Sequence, residues 1–231
     1  MTPILFSIGS VKFYSFGFFL ALAVLAGGAL LWYMVEKSQI LKGREQVSIF
    51  DLLLYVVICG FIGARFGYMA INYQTVSLFG FWQVLLKGGF ILPIGLAVGI
   101  LTLVWFLYKS NIRFFQFANL LTPSLFLGLT IGQIGAYLTE KGGNIPINLY
   151  ILPAYFTIAI IVYFLLNRVK DGISFFIGLV GFGIVHLATG FWTGQKILLW
   201  HFTLYQIFAI ALLFFSISAI MYLLIRGEKN V

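Results

Sequence analysis

Phe61-Ile62-Gly63-Ala64-Arg65-Phe66-Gly67-Tyr68 sets a guanidinium inside a run of residues that otherwise reads as a membrane-spanning helix. An arginine at mid-bilayer costs about 2.5 to 3.5 kcal/mol on insertion scales, so it faces a cavity or a partner rather than lipid. Along a helix, Tyr68 and Asn72 follow Arg65 at i+3 and i+7 and share its face, while Gly60, Gly63 and Gly67 fall on the other side. The Gly63-x-x-x-Gly67 spacing lets a second helix approach closely, which would turn the polar face toward an interior site. Two roles suit Arg65 at this point: contact with an anionic ligand, or a structural arginine bonded to carbonyls or a neighbouring acid.

The rest of the chain is of the same kind. Of its 231 residues, 62% are apolar and 9% charged, and the mean hydropathy is +1.07, whereas a soluble domain carries about 25% charge. The apolar runs are long and do not alternate as barrel strands do, so the expected class is an all-α integral membrane protein. Seven spans of about twenty residues fit, near 13–35, 50–73, 90–108, 114–138, 149–167, 174–192 and 202–225, as one polytopic domain over 1–231. The aromatic-rich stretch 76–86 is too short to cross and reads as a segment lying at the interface. The first span is long, lacks a small-residue cleavage site and is followed by Glu36, Lys37, Lys42 and Arg44, so it is expected to stay rather than be removed as a signal peptide.

Charge orients the bundle. Nine basic residues (Lys37, Lys42, Arg44, Lys109, Arg113, Arg168, Lys170, Arg226 and Lys229) fall in the odd loops and the tail. Four (Lys12, Lys87, Lys141 and Lys196) fall in the N-terminal segment and the even loops. The positive-inside rule then places the N-terminus outside and the C-terminus in the cytoplasm. The net charge of +8 reads as topology and affinity for anionic lipid, not nucleic acid, because no soluble basic domain is present. No internal repeat is visible, and no acid pair lies mid-membrane to couple ions, which weighs against a transporter.

Other polar residues sit where apolar ones would be expected. Gln133, Ala136, Tyr137 and Glu140 share a face at the end of the fourth span, where Gly128 and Gly132 are expected to permit close helix contact. Glu140 reads either as part of that face or as a solvated helix end. His186 lies in the sixth span without His, Cys or acid at metal-ligand spacing. No metal or cofactor is therefore expected, and the imidazole is either hydrogen-bonded packing or a ligand or proton-handling group. His201, beside Trp200, reads as interfacial. Asp51 suits the start of the second helix. The single cysteine, Cys59, excludes an internal disulfide and reads as packing.

Taken in order, several of these stretches resemble the bacterial prolipoprotein diacylglyceryl transferase family. Lys12-Phe13-Tyr14 stands where the family has Arg-Trp-Tyr-Gly, with Tyr14 matching. Gly63-Ala64-Arg65-Phe66-Gly67-Tyr68 is an intact copy of Gly-Ala-Arg-x-Gly-Tyr. Trp82 and Gly88-Gly89, then Pro123 and Gly132-x-x-Gly135, Pro146-Ile147-Asn148-Leu149-Tyr150 and Gln206 follow the family's later pattern. Departures gather at charged positions. Pro93-Ile94-Gly95-Leu96 replaces His-Gly-Gly-Leu, and Gly132-Gln133-Ile134-Gly135-Ala136 replaces Gly-Arg-x-Gly-Asn. Lys141 holds the place of the family's glutamate, with Glu140 one residue early. Phe182-Gly183-Ile184-Val185-His186-Leu187 replaces Tyr-Gly-x-x-Arg-Phe, and Gly190 and Thr193 stand at further acid and arginine positions.

The resemblance implies a multi-pass protein of the bacterial plasma membrane. It further implies a reaction in which a lipobox cysteine of a secreted preprotein displaces glycerol phosphate from phosphatidylglycerol. It implies headgroup contacts for Arg65, Tyr14, Tyr68 and Asn72, and chemical roles for His186, Gln133 and Glu140, His186 being a source of the base for the thiol. A neutral glutamine at 133 implies weak transfer. The rival expectation is a catalytically degenerate protein of the same fold that binds phosphatidylglycerol or another anionic phospholipid, or acts as a scaffold.

Overall fold

The computed structural model describes residues 4–8, 11–40, 48–71, 92–139, 147–166, 168–192, 197–199 and 202–228. Seven helices run through them: α1 (Ser15–Ser38), α2 (Ile49–Ile71), α3 (Leu92–Lys109), α4 (Phe114–Thr139), α5 (Ile147–Leu165), α6 (Ile173–Gly190) and α7 (Leu204–Glu228). Six are long and apolar enough to cross a membrane, and Ala97–Lys109 of α3 is a shorter apolar helix. All seven expected segments are helical, and no boundary moves by more than three residues. The stretch 76–86, with Trp82, Gly88 and Gly89, lies outside the described residues.

Two short antiparallel ladders add to the all-helical reading: β1 (Ile4–Ile8) with β2 (Val11–Tyr14), and β3 (Ile197–Leu199) with β4 (Phe202–Thr203). Each leads directly into a helix, α1 and α7 respectively. Neither is long enough to cross a bilayer.

The chain forms two compact units, 1–34 with 115–231, and 35–114. In the smaller unit Ser48 caps α2, its hydroxyl accepting from the Asp51 N–H at 3.4 Å. Asp51 lies in the first turn, where the helix dipole favours a carboxylate. Pro93 falls in the first turn of α3, where a missing N–H costs nothing. That helix stops at Asn111, whose φ of 53° is left-handed. Its N–H donates to Tyr108 O at 3.1 Å and that of Ile112 to Leu107 O at 2.9 Å, which closes the last turn. The Lys109 ammonium sits 5.3 Å from the centre of the Trp105 ring.

In the larger unit, α4 touches α1, α5 and α6, and α7 packs on α6. The bond from α4 to α6 is made by Asn119, 5% exposed, whose Oδ1 accepts from the backbone N–H of Gly172 at 3.2 Å and of Phe175 at 3.1 Å. A side chain on one helix thus caps the start of another, satisfying donors that have no partner within α6. Gly172 takes φ 92°, a conformation glycine adopts without strain. Against α1, Gly27 lies on the Ser124 carbonyl, Gly128 on the Ala23 carbonyl and Gly135 on Phe16 and Phe19. Gly132, expected in this seam, has nothing among the described residues within 4 Å of where a Cβ would stand. The reason is rotation: Gly135 returns to within about 20° of Gly128 around the helix, whereas Gly132 is turned about 40° the other way.

Candidate functional site

The glycine face of α2 is covered in the way its spacing predicts. A Cβ on Gly63 would meet Val98 Cγ2 at 2.6 Å, one on Gly67 would meet Ile94 Cδ1 at 2.5 Å, and one on Gly60 would meet the Gly95 carbonyl at 3.2 Å. The approach is reciprocal, since a Cβ on Gly95 would stand 2.7 Å from Ala64 Cβ and 2.8 Å from the Gly60 oxygen. With that side locked on α3, Arg65 and Tyr68 emerge together from another side of α2, both half-buried and neither without a partner. Asn72 lies outside the described residues.

In the larger unit an aromatic layer sits between α4, α5 and α6. Tyr155, 2% exposed, meets Phe126 edge-on at 5.7 Å between ring centres and lies parallel to Phe182 at 6.0 Å. Ile151 and Ala159 complete this core, with Leu129, Ile147, Ile158 and Val185 against it. The Tyr155 hydroxyl reaches His186 Nε2 at 2.8 Å, and the imidazole stands 4.2 Å from the centre of Phe182. A phenol in an apolar core needs such a partner, because an unmade hydrogen bond there costs about 1 to 3 kcal/mol.

Helix register puts Gln133 within one turn of that level. The pairs Asn119–Gly172, Asn119–Phe175 and Thr122–Gly178 run α4 and α6 parallel, and continuing the offset of the last two along α4 brings His186 level with Thr130 and leaves Gln133 about 4.5 Å beyond it. Gln133 also shares a face with Phe126 and Leu129. Its Oε1 is buried and has no hydrogen-bond partner among the described residues. A buried acceptor left unpaired is a place for a ligand donor. Tyr14 is 59% exposed at the end of β2, where α1 begins. Glu140 and Lys141 lie outside the described residues, as do Trp200 and His201.

Of the residues expected to act together, the structure thus has Arg65 with Tyr68 in one unit, and His186 within one helical turn of the level of Gln133 in the other. Sequence reasoning misses Tyr155. Its one signal is a hydroxyl in mid-span, which by itself asks for a partner. Chemically, the first cluster offers a fork of donors suited to phosphate oxygens. The second offers a neutral amide and an imidazole above an apolar floor.

The family described as prolipoprotein diacylglyceryl transferase matches residues 3–222. Three relatives bear the name phosphatidylglycerol–prolipoprotein diacylglyceryl transferase. That of Prochlorococcus marinus (strain NATL2A) is 28% identical over 162 residues, covering 64% of this chain and 52% of the relative. That of Staphylococcus xylosus is 26% identical over 156 residues, covering 65% and 53%. That of Parasynechococcus marenigrum (strain WH8102) is 30% identical over 152 residues, covering 64% and 52%. The chain spans about half the length of these curated relatives. Long apolar helices and bacterial relatives make it a multi-pass protein of the bacterial inner membrane. With the match running nearly end to end, the chain belongs to the prolipoprotein diacylglyceryl transferase family.

Proposed function

We propose that this protein transfers diacylglyceryl from phosphatidylglycerol to the lipobox cysteine of a secreted preprotein, and that it does so weakly. In this reaction the cysteine sulfur forms a C–S bond to the lipid glycerol carbon. The C–O bond to the phosphate breaks, glycerol phosphate leaves with the electron pair, and the thiol gives its proton to a base. The observation that carries the reading is the half-buried Arg65 beside Tyr68, on a helix whose opposite face is fixed by glycine contacts. A planar guanidinium donates two parallel hydrogen bonds to phosphate, and it remains charged in a low-dielectric site.

The expected weakness has a physical cause. Negative charge develops on the departing phosphate, and preorganised donors aimed at it supply much of the rate; losing one typically costs about 100 to 1000-fold. Gln133 can donate but brings no charge, and Pro93 brings no donor at all. The same two residues favour the second reading, a phospholipid-binding protein that has lost transfer. The test uses purified full-length protein with phosphatidylglycerol and a lipobox peptide, wild type against Gln133→Arg. Slow turnover that rises with Gln133→Arg supports weak transfer. Turnover in neither form leaves the phospholipid-binding reading, and fast wild-type turnover indifferent to Gln133→Arg refutes the role of position 133 in the reaction.

A further inference from the structure

We infer that Tyr155 is a positioning residue: it holds His186 in the tautomer that carries its proton on Nδ1, so the imidazole presents a hydrogen-bond donor to a phosphate oxygen. His186 then does not serve as the thiol base. The identity of the phosphate rests on the proposed function, whereas the state of the ring does not.

The Tyr155 hydroxyl stands 2.8 Å from His186 Nε2. A phenol O–H is a good donor and its oxygen a poor acceptor, while the unprotonated imidazole nitrogen is the stronger base, so the proton lies on the tyrosine side and Nε2 accepts. Once one ring nitrogen accepts, the neutral ring must carry its proton on the other. The phenol cannot swing away, because its ring is fixed between Phe126 and Phe182. The imidazole in turn is held on Phe182, one helical turn before it on α6.

Nδ1 is thereby left for a ligand. Tyr155 is the side-chain partner of His186 among the described residues, and Nδ1 is not among the polar atoms sealed inside the protein without a partner. Within a helical turn of that level on α4, Gln133 holds its Oε1 buried and without a hydrogen-bond partner among the described residues. One donor and one acceptor within a helical turn of each other in depth suit a phosphate ester that also carries a hydroxyl. His186 stands where the family pattern has arginine, so a neutral donor occupies the place of a charged one. The ligand is a glycerol phosphate ester, either within a lipid headgroup or free after it has left.

The chain has two histidines, so nitrogen NMR of the isotope-labelled, full-length protein is readily assigned with His201→Asn. Samples are prepared in maltoside micelles, with phosphatidylglycerol in one arm and glycerol phosphate alone in the other. The expected result is an unprotonated Nε2 and a protonated Nδ1 in wild type, with nitrogen–phosphorus dipolar coupling at Nδ1 in at least one arm. The arm that shows coupling says which source of the phosphate is bound. Tyr155→Phe keeps both ring stacks; it should mix the tautomers and weaken the phosphate ester about two- to tenfold, the worth of one hydrogen bond. In the transfer assay, His186→Arg should make Tyr155→Phe silent, since an arginine donates without tuning. A proton on Nε2, coupling in neither arm, or an equal Tyr155→Phe defect in the His186→Arg background would overturn the inference. Absent turnover with the Nδ1–H ring and coupling intact would instead defeat the transferase reading alone.

Discussion

Adding one methyl group at Gly95 tests whether the α2–α3 contact is as close as the glycine spacing requires. In Gly95→Ala the new Cβ would stand 2.7 Å from Ala64 Cβ and 2.8 Å from the Gly60 carbonyl oxygen. A backbone carbonyl has no rotamer to escape into, so the two helices must separate or shear. Overpacking of this kind costs about 1 to 3 kcal/mol, and the replacement of a mid-helix glycine by alanine returns about 1 kcal/mol of it. A net loss of about 1 kcal/mol corresponds to a melting temperature lower by roughly 2 to 4 °C for a chain of this size. Gly132→Ala is the internal control, because nothing among the described residues lies within 4 Å of its Cβ position; there the helix gain stands unopposed and the melting temperature should hold or rise. Tryptophan-fluorescence melts of both variants in maltoside micelles read the two signs. A Gly95→Ala protein that melts at or above wild type, or a Gly132→Ala protein that falls as far as Gly95→Ala, would refute the packing argument.

Asn119→Leu removes the acceptor for two α6 N–H groups in a buried site, and thermal melts should show a loss of about 1 to 3 kcal/mol; an unchanged melt would mean the cap is replaceable. Arg65→Ala should weaken phosphatidylglycerol retention about 10 to 100-fold in native mass spectrometry, with Arg65→Lys intermediate because a point charge replaces a fork. Equal retention by Arg65→Ala and wild type would remove the headgroup role. Reporter fusions should place the 139–148 loop outside and the C-terminus in the cytoplasm; a cytoplasmic signal from that loop would reverse the topology.

How much of the molecule is legible in its sequence follows from the range of each signal. Span positions are readable because hydropathy accumulates over some twenty residues, and the α2 glycine face because Gly60, Gly63 and Gly67 repeat within one helix. Gly132 misleads for the same reason that Gly128 succeeds: spacing names a stripe, but only a partner fixes which side of it is used. Tyr155 and His186 are far apart in sequence, and a lone phenol in an apolar run has no period to betray its partner. Asn119 is the extreme case, since its two donors belong to another helix altogether. The short ladders at Ile4–Ile8 with Val11–Tyr14 and at Ile197–Leu199 with Phe202–Thr203 are too brief for alternation to register.

The Asn119 cap also bears on how the protein is made. The first amides of α6 find their acceptor on a helix that precedes them in the chain, so α4 is synthesised before the amides it caps. In the reverse order, those amides would have to take another acceptor until α4 arrived, as the unpaired first amides of any helix must. Chain direction is therefore part of the assembly route: a circular permutant that delivers α6 ahead of α4 would have every native contact available at the end and a poorer path toward it.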